Sequence, residues 1–181
     1  MKKLLTGILF ILVASAAMAQ TKSIWTNSTN ASQLLAGKMY KTTFNIYVDT
    51  RGDLYFSGGS TSACIQPEFV PQLQVILKKG LRWRTMAKKN GDVFVKNLCR
   101  LGQAANGQYS LVLDFVSVKV QGKITVAFRM KLTNWDNEYI NAKILLMDTD
   151  NSLDKLTAAV LSYQKVLREL KKQQNAASKY Q

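Results

Sequence analysis

Positive charge is the chemical feature that stands out most clearly in this sequence. Between residues 78 and 100 the chain has eight basic side chains and a single acid, Asp92. A surface of this kind attracts anionic polymers through its charge, and Trp83 within the run could add stacking. The candidate binding residues are Lys78, Lys79, Arg82, Trp83, Arg84, Lys88, Lys89, Lys96 and Arg100. The alternative interpretation is that these cations keep a sheet edge soluble and unpaired.

Hydrolytic chemistry has little support, because none of the 181 residues is a histidine. Ser-His-Asp, Cys-His and histidine-zinc mechanisms are therefore excluded. A pair of carboxylates is the remaining route to hydrolysis, and Asp114, which lies among Leu113, Phe115 and Val116, is the candidate acid. Strand alternation instead places Asp114 on the solvent side, opposite Leu113 and Phe115. We therefore predict no catalytic residue, no metal site and no cofactor.

Two cysteines, Cys64 and Cys99, are the other side chains with distinctive chemistry. They lie too far apart in sequence for a C-x-x-C redox motif. A disulfide between them would close a loop of 36 residues, and the chain-entropy model gives roughly 4 kcal/mol of stabilisation for that length. Residues 1–19 have the pattern of a signal peptide and so predict export, and an exported chain with an even number of cysteines is expected to oxidise them. We therefore predict a structural disulfide between Cys64 and Cys99.

Two further motifs are explained by local structure. Asp148, Asp150 and Asp154 resemble the start of a calcium loop, but an EF-hand needs Gly at its sixth position and Glu at its twelfth, where this chain has Leu153 and Ala159. These acids are therefore interpreted as the start of a helix. The tripeptide at residues 51–53, Arg-Gly-Asp, lies in a predicted hairpin turn, where Gly and Asp are expected for backbone reasons.

Residues 1–19 have the pattern of a cleavable signal peptide. Lys2 and Lys3 precede an apolar stretch from Leu4 to Ala14, and a small-x-small site ends at Ala19. The apolar stretch is shorter than the ~20 residues of a membrane anchor, so we predict cleavage after Ala19, a secreted or periplasmic location and no integral membrane segment afterwards. Cleavage removes two lysines and no acid, which leaves 23 basic and 11 acidic residues and a net charge of +12.

The elements that would position these groups follow from periodicity. Residues 20–36 are interpreted as a polar N-terminal lead-in with little core. Alternating residues at 42–48 and 53–57 predict a hairpin, with turn residues between them. Apolar spacing after Pro67 and Pro71 predicts a short helix that ends at Lys78, Lys79 and the C-cap residue Gly80.

A second hairpin is predicted over 81–101, reversing at Asn90-Gly91. A strand follows over 109–120, in which a change of apolar parity predicts a β-bulge. Residues 123–133 alternate between a core face and a solvent face, and a last strand is expected over about 139–147. The core-facing residues of 123–133 are predicted to be Ile124, Val126, Phe128, Met130 and Leu132.

A helical apolar repeat begins at Ser152, the predicted N-cap, and predicts one helix of about 20 residues. Residues 173–181 are expected to form a frayed polar tail, and residues 37–172 a single α+β domain. The predicted fold is a curved antiparallel sheet of about 6–7 strands packed against the long C-terminal helix and one short helix. This element order resembles helix-grip and cystatin-like folds, which often enclose a small ligand or form interaction surfaces.

These features predict a non-catalytic secreted or periplasmic interaction protein with a basic surface for an anionic envelope or extracellular partner. A protein partner is also possible, and the oligomeric state is left open. One alternative is a binder of a small apolar ligand in a cavity between the long helix and the sheet. A histidine-free hydrolase is the other.

Overall fold

The computed structural model describes residues 21–178 of the chain, apart from residues 37, 60, 105–106, 135–136 and 138. The predicted signal peptide at residues 1–19 and the last three residues lie outside this range. The strands are β1 (Thr21–Asn27), β2 (Ala31–Leu35), β3 (Lys38–Lys41), β4 (Phe44–Asp49), β5 (Leu54–Gly58), β6 (Thr61–Ile65), β7 (Phe94–Leu101), β8 (Leu111–Val120), β9 (Lys123–Thr133) and β10 (Asn141–Met147). The helices are α1 (Val70–Asn90), α2 (Ser152–Leu161) and α3 (Tyr163–Ala177), and a 3-10 turn at Pro67–Phe69 precedes α1. No described helix is long and apolar enough to cross a membrane.

The strands form two antiparallel sheets rather than the single curved sheet that was predicted. One sheet has four strands in the order β1-β4-β5-β6, and the other has six in the order β3-β2-β10-β9-β8-β7. The α+β class is confirmed. The helices and the two sheets enclose one cluster of buried apolar side chains, to which both sheets contribute.

The predicted N-terminal lead-in instead supplies a strand to each sheet. β1 pairs with β4 in the four-stranded sheet, and β2 pairs with β10 in the six-stranded one. Ala31 is fully buried, and Gln33 is almost so. The polar composition of this segment hid its role, because strands of an antiparallel sheet can carry polar residues on their exposed face.

The first predicted hairpin is confirmed by the pairing of β4 with β5. Its turn is organised by Asp49, whose Oδ1 accepts hydrogen bonds from the backbone N–H groups of Arg51, Gly52 and Asp53, each 3.0 Å long. Gly52 has a φ of 100°, a conformation that side chains rarely allow. The Arg-Gly-Asp tripeptide is thus part of a turn, as predicted.

The predicted short helix and the hairpin at 81–101 are wrong, because α1 continues without a break for 21 residues to Asn90. Gly91, not Gly80, ends the helix, with a φ of 75° and its N–H bonded to the carbonyl of Ala87. Gly80 lies inside α1 where the helix crosses β9, and a Cβ there would be 2.7 Å from Cζ of Phe128. This glycine allows a close crossing of helix and sheet.

The bulge predicted within 109–120 is also wrong. The register of β8 and β9 is unbroken from Leu111 opposite Leu132 to Val120 opposite Lys123. Ser117 continues the core-facing side of β8, and its hydroxyl donates to the carbonyl of Asp92 over 2.7 Å. The polar Ser117 at a core-facing position therefore explains the apparent change of apolar parity in the sequence. The register irregularity lies in β7 instead, within residues 97–99.

The alternation predicted for β9 is confirmed at four of the five core positions, and the fifth, Ile124, is half-buried.

The predicted single C-terminal helix is two helices, because the helix is interrupted at Ser162 and α3 begins at the next residue. Asn151 rather than Ser152 is the N-cap of α2, and the Ser152 hydroxyl donates to the Met147 carbonyl. Residues 173–177, expected to belong to a frayed tail, are helical. The hydroxyl of buried Tyr163 fixes the start of α3 by donating to the carbonyl of Gly52 over 2.5 Å.

Candidate functional site

The nine candidate residues lie on two elements, α1 and β7. Seven of them, from Lys78 to Lys89, are on α1, and Lys96 and Arg100 are on β7. On a helix, residues four and seven apart share a side. Lys78, Arg82 and Lys89 therefore point the same way, and all three are exposed. The helix thus gathers cations that a hairpin would have alternated between two faces.

Trp83 is half-buried and is part of the core edge rather than a free stacking platform. Its ring packs edge-on against Phe94 and Phe115, with centroids 6.3 and 5.9 Å away. The ammonium groups of Lys79 and Lys96 lie 4.9 and 5.2 Å from the ring centre. These cation–π contacts hold both ammonium groups at the ring of Trp83, so the role of Trp83 here is to position two cations.

Arg84 and Lys88 are committed to ion pairs. Arg84 binds Asp154 through both nitrogens of its guanidinium fork, one of them over 3.0 Å, and also contacts Asp148 over 3.3 Å. Lys88 Nζ lies 2.7 Å from the other oxygen of Asp148, whose side chain is only 4% exposed. Arg84 holds the pKa of Asp154 below its usual range by hydrogen bonding. These contacts join α1 to α2 and to the end of β10.

Two of these acids, Asp148 and Asp154, belong to the motif that resembles a calcium loop. Asp154 lies in the first turn of α2, as the helix-start interpretation predicted. Within the described residues, no group of three or more acidic, cysteine or histidine side chains is placed to hold a metal ion.

Arg100 is separated from the other candidates by the six-stranded sheet. The inner face of a sheet here means the face toward the helices and the core, and the outer face means the opposite one. Arg100 lies opposite Val112, on the outer face, because the irregularity in β7 precedes it. Lys96 lies opposite buried Phe115, on the inner side. The predicted single patch is therefore divided.

Sequence reasoning missed two lysines that join the α1 cluster. Lys119 and Lys123 flank the turn between β8 and β9, and they face Lys88 and Lys89 across a surface recess of about 490 Å³. We call this feature the lysine recess. The remaining walls are formed by Asn90, Gly91, Gly122 and Ile124. The close spacing of Lys119 and Lys123 around Gly122 was visible in the sequence, but the proximity of these two lysines to Lys89 was not.

The described cations of this region are mostly unpaired. No acid lies within ion-pair distance of seven of them in the part of the chain that the structure covers. These are Lys78, Lys79, Arg82, Lys89, Lys96, Lys119 and Lys123. The carbonyls at the end of α1 partly compensate the positive charge of the nearby lysines, since the C-terminus of a helix favours positive charge. The net field remains positive.

The predicted disulfide is not present, since Cys64 and Cys99 are both free and buried. Cys64 lies opposite Tyr55 on the outer face of the four-stranded sheet, whereas Cys99 belongs to the core cluster. The two thiols therefore point to different sides of the structure. Burial raises the pKa of Cys64 to about 11 and that of Cys99 to about 12, which makes both poor nucleophiles near neutral pH.

Asp114 faces outward, as strand alternation predicted. Its Oδ2 accepts hydrogen bonds from Arg129 at 2.8 and 3.0 Å, and its Oδ1 accepts one from Asn97 at 2.9 Å. This arrangement is a cross-strand ion pair between Asp114 on β8 and Arg129 on β9. It gives Asp114 a structural role.

Comparisons with protein-family models, with curated proteins and with solved structures found no match. Function must therefore be argued from the geometry and electrostatics of the surface itself.

Proposed function

We propose that this protein is a non-catalytic secreted or periplasmic interaction protein that binds an anionic envelope or extracellular partner. The observation that carries the proposal is the lysine recess, where α1 and the β8–β9 turn bring four lysines together. Like charges repel one another, and a concave surface concentrates their field. An anion in the recess would relieve that repulsion.

The extent of the basic surface favours a polymer over a small ion. Lys78, Arg82 and Lys89 lie along one side of α1 and lead into the recess. At about 1.5 Å per residue, the helix from Lys78 to Lys89 is roughly 16 Å long. Several phosphate or carboxylate groups of one chain can lie along that distance. Lysine ammonium groups act as point charges, so little sequence or sugar specificity is expected.

The compartment is the second part of the proposal, and its support is the pattern of residues 1–19. We expect the exported protein to start at Gln20, because the small-x-small site ends at Ala19. Intact mass measurement of protein recovered from the periplasm or the medium tests this. A product that retains residues 1–19, or that stays in the cytoplasm, would contradict it.

The binding test must leave the ion pairs of Arg84 and Lys88 intact. A recess variant, Lys89→Gln, Lys119→Gln and Lys123→Gln, changes only exposed side chains. A control variant on α3, Lys165→Gln, Lys171→Gln and Lys172→Gln, loses the same charge. Binding of a fluorescent DNA duplex, as a model phosphate polymer, is measured by anisotropy at several salt concentrations, and binding of heparin is measured as a second polyanion.

We expect the recess variant to bind both polyanions more weakly than the control variant. For DNA, the slope of log K against log salt should fall by about 2–3, since three phosphate contacts would be lost. Equal losses in the two variants would mean that only the overall charge attracts the polymer. Unchanged binding in both would overturn the proposed site.

A further inference from the structure

The outer face of the six-stranded sheet has an arrangement of side chains that the proposed function does not use. The helices and the four-stranded sheet contact this sheet on its inner face. On the outer face, described side chains of β2, β3, β8, β9 and β10 line a cavity of about 420 Å³. That volume lies within the range of about 300–1,000 Å³ typical of small-molecule sites.

Two lysines lie directly opposite each other in this cavity. Lys131 of β9 pairs in register with Lys143 of β10, and both side chains line the cavity. Cross-strand neighbours have Cβ atoms about 5 Å apart, and like charges at that distance destabilise a sheet. Neither lysine has an acid partner among the described residues. The two lysines therefore concentrate positive charge at the centre of the sheet.

The acid in the cavity wall does not cancel this charge. Asp114 is held by Arg129 at 2.8 Å, so that pair is close to neutral. Arg100 adds a further cation to the row of Lys143 and Lys131, because it lies opposite Val112, the neighbour of Lys131 on β8. The row is thus cationic across several strands.

Apolar side chains continue the same row in the other direction. Leu34 of β2 is opposite Lys143, and Met39 of β3 is opposite Leu34. Their side chains are 38% and 48% exposed, which is high for large aliphatic residues. Leu145 and Val112 also line the cavity, and the accessible wall is mostly apolar. A charged end and an apolar end therefore meet in one cavity.

We propose that this cavity binds a single-chain amphiphile with an anionic head, of the class of long-chain carboxylates. The carboxylate lies between Lys131 and Lys143, and the alkyl chain covers Leu34 and Met39. Charge complementarity selects an anion, and the exposed aliphatic surface selects a chain over a small ion. The site shares no lining residue with the lysine recess, so it can be tested independently of the proposed function.

The test uses laurate below its micelle concentration, with calorimetric titration of the mature chain. We expect saturable binding of one laurate per chain, with dodecanol and acetate binding more weakly because each lacks one half of the recognised chemistry. The double variant Lys131→Gln and Lys143→Gln should bind laurate about tenfold more weakly, as expected for the loss of two exposed charge contacts. Its affinity for dodecanol should be unchanged.

Folding is monitored by thermal unfolding of the same samples. Removal of the like-charge contact should leave the unfolding temperature equal to or above that of the parent chain, so weaker binding cannot be attributed to unfolding. The charge-matched control is Lys89→Gln with Lys123→Gln in the lysine recess, which should keep laurate binding. Leu34→Asn should weaken laurate binding and leave acetate unaffected.

Three outcomes of the laurate titrations would overturn the proposal. They are the absence of saturable laurate binding by the parent chain, equal loss in the recess control, and unchanged affinity in the Lys131 and Lys143 double variant. Binding to anionic vesicles without binding of monomeric laurate would also overturn it, since it would assign the face to a membrane surface instead.

Discussion

The crossing of α1 over β9 at Gly80 gives the sharpest test of the fold. In Gly80→Ala, the added Cβ would lie 2.7 Å from Cζ and 2.8 Å from Cε1 of Phe128. Carbon atoms in contact are normally about 3.5–4.0 Å apart. Phe128 is fully buried in the core, so its ring cannot rotate into solvent. The helix or the ring must therefore move by nearly 1 Å.

Two opposing terms set the size of the effect. Alanine favours a helix over glycine by about 1 kcal/mol at an interior position. Overpacking of a core costs about 1–3 kcal/mol. The expected result is a net destabilisation of about 1 kcal/mol, with an upper limit near 2 kcal/mol. If Gly80 were an ordinary exposed helix residue, the same change would stabilise the protein by about 1 kcal/mol instead.

A double-mutant cycle separates the clash from a backbone effect. Urea unfolding is measured for Gly80→Ala, for Phe128→Leu and for the double variant, and the slopes are checked for constancy. The smaller leucine leaves room for the new methyl group. We expect Gly80→Ala to be about 1 kcal/mol less harmful in the Phe128→Leu background, which is a favourable coupling between the two sites.

Gly91→Ala is the matched control. Gly91 has a φ of 75°, and beyond its chain neighbours no described atom lies within 4 Å of the position of its Cβ. Its substitution should cost about 1 kcal/mol through backbone strain alone, without coupling to residue 128. If residues 80 and 128 showed no coupling, the close crossing of α1 over β9 would be refuted, and Gly80 would again be interpreted as a helix cap.

Three other changes test separate contacts. Leu156→Asp places a charge at a position of α2 that is 1% exposed, so circular dichroism should show an unfolded chain; a folded variant would contradict the packing of α2. Tyr163→Phe leaves the carbonyl of Gly52 without its donor and should lower the free energy of unfolding by about 1 kcal/mol in urea titration, whereas an unchanged value would contradict the hydrogen bond. The pKa values of Cys64 and Cys99 in the folded state, about 11 and about 12, lie above the ordinary value of 9.0. Their contribution to stability should therefore be complete below pH 9 and should be lost as pH rises through about 11 for Cys64 and about 12 for Cys99, and a double serine variant should lack this alkaline dependence in thermal unfolding.

The α+β class, the first hairpin and the face of β9 could be predicted from the sequence, because each depends on local alternation and turn residues. The length of α1 could not. Gly80 after two lysines has the composition of a helix end, and Asn90-Gly91 has that of a hairpin turn. Both glycines are explained by structure instead, one by contact with Phe128 and the other by capping. Tertiary packing decides between such alternatives.

The candidate site was only partly predictable for the same reason. Composition identified the basic run, but the geometry of a helix rather than a hairpin decides which members share a surface. Lys119 and Lys123 reach the end of α1 through the pairing of β8 with β9, a contact between residues about 30 positions apart in sequence. The division of the cysteines between the outer face of one sheet and the core is likewise a property of strand register.

The alternative that cations protect a sheet edge applies to one part of the basic run only. β7 is an edge strand of the six-stranded sheet, and its lysine and arginine side chains suit that protective role. Lys89, Lys119 and Lys123 lie instead in a recess, where the charges face one another. Solubility is served by charges that are spread over a convex surface, since separation lowers their mutual repulsion. Asp148 and Asp154 are paired with Arg84 and Lys88, and no described acid lies within ion-pair distance of Lys89, Lys119 or Lys123. This concave group of three lysines, which have no acid partner among the described residues, is why we propose an anionic ligand rather than protection against aggregation.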